Sequence, residues 1–240
     1  MKRASVIGLL VALIIGAGAC VGFATWSISV YGDYSMLSPS AYNDSLQEEL
    51  DDHIWWEGGS GSVDKLSSAI SFGADLWYVG DSSPTFGVGI TRFSPTAGLS
   101  WEGPLFIRSL ELEDTTTVTG LLVSGGYAWG GSSYRVTGAL GGGYYWVNHK
   151  RDILVEELWF WDWYEYTAKK SQFGAHVLGK IEYSVADNIA VALGFVYRWL
   201  TISDMEFTEH DVSTWVGETW GGPDLDLGGA SLFVGVTVSR

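Results

Sequence analysis

The stretch FGAHVLGKIEY, Phe173 to Tyr183, sets His176, Lys180 and Glu182 on one row of a two-residue period. An imidazole, an ammonium and a carboxylate on one strand face could move protons or form a buried ion-pair network. Four more charges, Asp33, Asp75, Arg135 and Arg198, occupy equivalent rows of other alternating segments. Leaving out His176, three of these groups are acidic and three basic, and their row-mates are Gly, Ser, Ala and Thr. Charges buried without partners are costly, so a balanced set among small residues reads as mutual neutralisation. We expect Asp33 to pair with Arg198 at one height, Asp75, Arg135, Lys180 and Glu182 to pair at another, and His176 to be a satisfied histidine among them. No GxSxG nucleophile elbow occurs. The runs Asp51–His53, Glu209–Asp211 and Asp224–Asp226 offer oxygen and nitrogen donors, but none has the spacing of a calcium loop or a zinc site. No metal or cofactor is assigned.

The elements that must carry these residues follow from periodicity. Eight segments alternate: Thr25–Leu37, Leu66–Gly80, Thr85–Phe93, Thr116–Trp129, Tyr134–Val147, Ser171–Ser184, Ile189–Ile202 and Leu227–Ser239. Tight turns at Gly80–Pro84, Gly130–Ser133 and Val185–Asn188 alternate with four long connections. Long connections are unusual inside a compact soluble domain, but short and long loops in alternation suit an up-and-down membrane barrel. The expected fold is therefore all-β: an eight-stranded antiparallel up-and-down transmembrane β-barrel with short periplasmic turns and long extracellular loops. Eight strands leave an interior just wide enough for side chains, so no open water pore is expected. A soluble lipocalin-like ligand-binding barrel is the alternative, but its solvated face would carry many Lys and Glu side chains.

Residues 1–24 place Lys2 and Arg3 before an apolar run and end in small residues, the pattern of a secretory signal peptide cleaved after Ala24. The barrel domain is then 25–240. The one cysteine, Cys20, lies within that leader; cleavage after Ala19 with lipidation of Cys20 is the alternative, and either way no disulfide is expected. With a net charge of −15, no basic patch exists to hold nucleic acid.

Rings mark the membrane boundaries. On the short-turn side stand Trp26, Tyr78, Trp129, Tyr134 and Tyr183, and on the long-loop side Tyr34, Tyr144, Trp146 and Trp199, with aliphatic residues between. Tyr134 to Trp146 is about 12 steps of roughly 3.3 Å, or about 28 Å of height at a tilt near 45°. That matches the lipid-facing band between two aromatic girdles. With these features the chain resembles the small eight-stranded outer-membrane barrels, the class of the OmpA transmembrane domain, OmpX and OmpW. The resemblance covers Thr25 to Arg240 and rests on architecture. It departs at the C-terminus, where LFVGVTVSR replaces the usual terminal aromatic. It implies an outer-membrane location, the lipid bilayer as partner and a monomeric barrel. Lipid A deacylases also use this barrel, but they would ask for a serine two residues beyond the histidine, where Leu178 stands. The chain is therefore not expected to be an enzyme.

The long connections, Ser38–Lys65, Pro95–Thr115, His149–Lys170 and Ser203–Asp226, hold 23 of the 28 acidic residues against 6 basic ones, a net of −17. Such loops could attract divalent cations or cationic ligands. In the first, Ala41 or Tyr42, with Leu46, Leu50 and Ile54, falls at helical spacing, and we expect a short helix lying on the barrel mouth as a lid. In the third, Trp159, Trp161 and Trp163 are expected on a hairpin above the membrane, packed into a self-contained aromatic cluster. The function expected is a structural or surface-interaction role for a barrel with a closed, charge-plugged lumen. The alternative is OmpW-like passive transport of small apolar molecules.

Overall fold

The computed structural model describes residues 25–37, 39–79, 83–104, 107–131, 133–210, 219–221 and 224–239. The leader, Cys20 and Asp211 lie outside them. Eight antiparallel strands form one hydrogen-bonded ring: β1 (Thr25–Leu37), β3 (Ser68–Val79), β4 (Ser83–Phe93), β6 (Arg108–Gly130), β7 (Tyr134–Glu157), β8 (Phe160–Ala186), β9 (Ile189–Trp199) and β14 (Gly229–Ser239). Each strand of the ring pairs with two of the others, and β14 returns to β1 from Ser27 opposite Ser239 to Leu37 opposite Gly229. All eight expected segments are strands of this ring.

Alternation decides which side chains meet lipid. Ile28, Val30, Ile70, Phe72, Val123, Leu140, Phe173, Leu193 and Val234 are exposed around the outside, while Ser27, Ser71, Thr91, Ser124, Thr137 and Thr237 on the opposite rows are buried. A continuous apolar belt on the outside of a barrel needs hydrocarbon around it. At its lower edge Trp26 meets Tyr78 edge-on at 5.4 Å, Tyr78 stacks on Phe86, Tyr127 packs on Trp129, and Tyr134 sits opposite Tyr183. At its upper edge Tyr144 contacts Trp146 and Phe173, and Tyr197 contacts Trp199, with Tyr34 exposed at the same end of β1.

One glycine on β6 and one on β7 have a shared packing reason. A Cβ at Gly120 would lie 2.6 Å from the Tyr145 ring and one at Gly143 2.9 Å, so the two glycines let this fully buried ring lie against the wall.

Above the belt the structure departs from open loops. The Pro95–Thr115 connection is mostly strand: β5 (Thr96–Glu102) pairs with the first part of β6, because the two-residue period continues past the membrane boundary. β2 (Ser60–Asp64) adds to β5. The third connection is a continuous β7–β8 hairpin turning at Leu158 and Trp159. β11 (Glu206–His210) pairs with β8 and β12 (Thr219–Gly221), and β10 (Thr201–Ile202) pairs with β13 (Leu225–Asp226). Helix α1 (Ser40–Glu57) buries Tyr42, Leu46 and Leu50, with Ile54 partly buried, in one cluster with Trp101, Leu112, Tyr145 and Leu200. It ends where Gly58 takes φ 75°, a left-handed conformation that glycine adopts freely, and the Gly58 carbonyl accepts from Trp101 Nε1 at 2.9 Å.

Candidate functional site

Two polar clusters stand on this scaffold, one inside the ring and one at its mouth. The inner rows of β7 and β8 bring Arg135, Lys180 and Glu182 together toward the short-turn end. Glu182 accepts from Arg135 Nε at 2.7 Å, Lys180 Nζ at 3.0 Å and Thr237 Oγ1 at 2.9 Å. Lys180 also lies 4.9 Å from the Trp77 ring centroid. Asp75 takes the Tyr31 hydroxyl at 3.3 Å and a longer bond from Trp77 Nε1. Higher in the ring, Asp33 accepts from Ser35, and Arg198 stacks over Phe93 at 4.6 Å with Tyr145 at 5.9 Å. Among the described ion pairs there is none between Asp33 and Arg198. His176 Nε2 shares a 2.7 Å hydrogen bond with Ser124 Oγ, and its Nδ1 is buried without a hydrogen-bond partner. A serine–histidine pair whose second nitrogen meets no carboxylate lacks the third group that orients a catalytic base.

The second cluster lies outside the membrane-spanning segment. Thr119 faces Trp146 of the upper girdle, and Asp114 stands five residues further along β6, opposite Arg151. That is roughly 12 Å above the girdle at the usual rise and tilt. Asp114 is fully buried and takes Arg151 Nε at 3.0 Å and Nη2 at 2.9 Å. The Tyr42 hydroxyl of α1 donates to the same carboxylate. His149 Nε2 approaches Asp114 Oδ1 at 3.4 Å, and its Nδ1 shares a 2.8 Å bond with Thr116 Oγ1. Phe207 closes the side, 5.4 Å from the His149 ring and 5.7 Å from the Arg151 guanidinium.

Burial works to raise the Asp114 carboxyl, but His149 and the Arg151 guanidinium outweigh it and hold it at about 2. Burial followed by the Asp114 charge pushes the Tyr42 hydroxyl far above the usual phenol value, so it remains a donor. Against the opposing pull of burial, Asp114 raises Arg151 further. The arrangement latches the helix to the sheet mainly through the Asp114 carboxylate, with Glu49 of α1 3.7 Å from Arg151. Asn43 adds a two-way clamp, its side chain bonding the Leu66 carbonyl at 3.0 Å and the Leu66 amide at 2.9 Å.

This latch was missed by sequence reasoning, which counted Asp114 and Arg151 only as loop charge. The inner-row parity of Asp114, His149 and Arg151 would have pointed to it, but only once the β6–β7 register was known.

The aromatic residues of the third connection do not form the expected cluster. Trp159 and Trp161 are 86% and 74% exposed and Trp163 nearly half so, because the turn carries the first and the strand period sends the others to the outer face. No ring contact joins them among the described residues. Asp51–His53 lies on α1, where His53 Nδ1 bonds the Glu49 carbonyl and its ring packs on Trp101. Asp226 accepts from the Gly228 amide. Among the described residues no three His, Cys, Asp or Glu side chains are placed to hold a metal ion.

The hydrogen-bonded ring, its lipid-facing belt and two girdles of rings decide the architecture. The chain is an outer-membrane-type β-barrel. Solved structures it is similar to include Neisserial surface protein A (14% identity, 89% of this chain and 96% of that one, TM-score 0.39) and a major outer membrane protein from Thermus thermophilus (10% identity, 90% and 99%, TM-score 0.46). The outer membrane protease OmpT from Escherichia coli is also similar (9% identity, 91% and 97%, TM-score 0.37). No family model and no curated protein matches the chain.

Proposed function

We propose that this protein is a non-enzymatic outer-membrane barrel with a closed, charge-plugged lumen, whose role is to hold an acidic, sheet-built structure above the membrane for surface interaction. Residues 1–24 serve as the signal that delivers it, and Thr25 begins the barrel domain. The observation that carries the reading is the packing inside the ring: the large side chains Trp77, Phe93 and Tyr145 are at most 1% exposed, and Lys180, Glu182 and Arg198 are buried around them. In an eight-stranded ring such side chains occupy the space through which a solute would have to pass. Helix α1 adds a second obstruction at the mouth. The non-enzymatic reading is supported by the Ser124–His176 pair, which is buried and lacks an orienting acid.

Single-channel recording on the refolded chain in planar bilayers tests this, after gel mobility with and without heating has confirmed a barrel. A folded barrel that gives no conductance steps is the expected result. Discrete steps would overturn the closed lumen and favour passive transport through the mouth.

A further inference from the structure

Among the described residues, five large rings stand exposed well above the belt: Trp55 and Trp56 at the end of α1, and Trp159, Phe160 and Trp161 at the β7–β8 turn, each 72–86% exposed. One ion-pair cluster joins the two groups. Arg108 binds Glu57 of α1 at 2.9 Å and Glu157 of β7 at 3.2 Å, and the Leu158 amide donates to the Ile107 carbonyl. With rings of 150–250 Å² each, the two groups together leave several hundred Å² of apolar surface uncovered, more than single scattered hydrophobic residues account for.

The bilayer that holds the barrel cannot cover this surface. Trp159 lies 13 residues beyond Trp146 of the upper girdle, which is about 30 Å above it at the usual rise and tilt. The headgroup zone extends only about 5–8 Å beyond the hydrocarbon. A second copy and an anionic membrane are both opposed by charge, since the connections above the belt carry a net of −17.

Each group of rings has carboxylates beside it. Asp52 is one helical turn before Trp55 and Trp56, Glu156 is directly across the hairpin from Trp161, and Asp162 follows it. Among the described residues none of these three has an ion-pair partner, while Arg108, the cation at this tip, is shared by two glutamates. Lower on the same hairpin the chain shows how such a surface receives a cation. The Lys150 ammonium sits 2.9 Å from Asp152 and 3.2 Å from Glu165, with the Trp163 ring centroid 5.9 Å away.

We infer that this tip is a docking surface for a basic, amphipathic polypeptide segment, whose apolar face packs on exposed rings of the tip and whose Lys or Arg side chains meet neighbouring carboxylates among Asp52, Glu156 and Asp162. The inference rests on the surface-interaction reading and names its partner class.

The test uses the refolded chain beginning at Thr25 in detergent micelles, titrated calorimetrically with a synthetic Lys/Leu amphipathic helix, with a neutral oligosaccharide and with phosphatidylcholine vesicles as rival probes. Two variants are compared, Trp159→Ala/Trp161→Ala and Asp52→Asn/Glu156→Gln/Asp162→Asn; all these positions are exposed, so gel mobility should report an intact barrel for both. The peptide is expected to bind the unmodified chain, to bind each variant at least about tenfold more weakly, and to weaken about tenfold or more in about 0.5 M salt. Absence of peptide binding, equal affinity in the variants, or ring-dependent binding of oligosaccharide or vesicles instead would overturn the inference. Conductance of the same preparation reports separately on the lumen: a silent barrel that ignores the peptide sinks this inference alone, and a conducting barrel that binds it sinks the closed lumen alone.

Discussion

The two halves of β6 face opposite worlds with the same backbone. Between Thr119 and Trp129 its outer row carries Val123, Tyr127 and Trp129 and its inner row carries Gly120 and Ser124; between Arg108 and Thr117 the outer row carries Glu111 and Glu113, while Leu110 and Leu112 turn inward to a buried cluster. β8 repeats the reversal, with Lys180 and His176 inside the ring but Tyr166 and Ala168 inside the upper sheet. The strand period never changes; only the solvent does. Where hydrocarbon surrounds the wall, apolar rows turn outward and polar pairs turn inward, and where water surrounds it the preference inverts. The mouth, where α1 packs down, is the seam between the two regimes.

The comparison can be broken from either side. The largest effect is expected from Glu182→Ala, which leaves Lys180 and Arg135 buried without their shared carboxylate and should cost about 3–5 kcal/mol, read as loss of heat-resistant gel mobility in urea. Equal stability of variant and parent would show that the network does not hold the ring. Next, one substitution at two heights tests the inversion itself. Val123→Arg, near the middle of the belt, should destabilise by about 2–4 kcal/mol, whereas Glu113→Arg on the same outer row should shift stability by no more than about 0.5 kcal/mol. Urea titration of both in micelles decides it, and similar costs would refute the placement of the belt.

Asp114→Asn should loosen α1 while sparing the ring, at a cost of about 1–3 kcal/mol, seen as faster amide exchange in 40–57 without change in the transmembrane strands. The sign of its pH dependence follows from the lowered carboxyl. The stabilisation is complete above the ordinary carboxylate value of about 3.9 and is lost as pH falls toward about 2. Protection of α1 in the unmodified chain should therefore hold through mildly acidic pH and fail only below about 4. Failure near pH 6 would mean that another group controls the latch. The smallest effect is expected from Asn43→Ala, about 1 kcal/mol, again confined to exchange in α1.

How much of this was legible depended on how local the signal was. The eight ring strands and α1 were readable because alternation and helical spacing are written in consecutive residues, as in Tyr134–Val147 or Tyr42, Leu46 and Leu50. The β5–β6 hairpin was passed over as a connection, since Glu111, Leu112 and Glu113 alternate as a strand does but with their polarity facing water. The latch was hidden for a stronger reason. Tyr42, Asp114 and Arg151 meet only when a helix lies across two strands in one register, and register is set by pairings more than 30 residues apart. The exposed hairpin rings were legible as residues but not as a surface, because Trp159, Trp161 and Trp163 in a row do not say which of them the turn will carry.

The pairing of β14 with β1 has a kinetic consequence. Ser29 and Thr237 share a 2.8 Å hydrogen bond across 208 residues of chain, and Ser35 and Ser231 share another across 196. Every other seam of the ring joins strands much nearer in sequence, so this one closes a loop as long as the barrel itself. Until it zips, β1 and β14 each present a bare row of amide and carbonyl groups that neither lipid nor water-excluding neighbours can satisfy. Insertion of this barrel is therefore a race between joining its two ends and losing either edge to another chain.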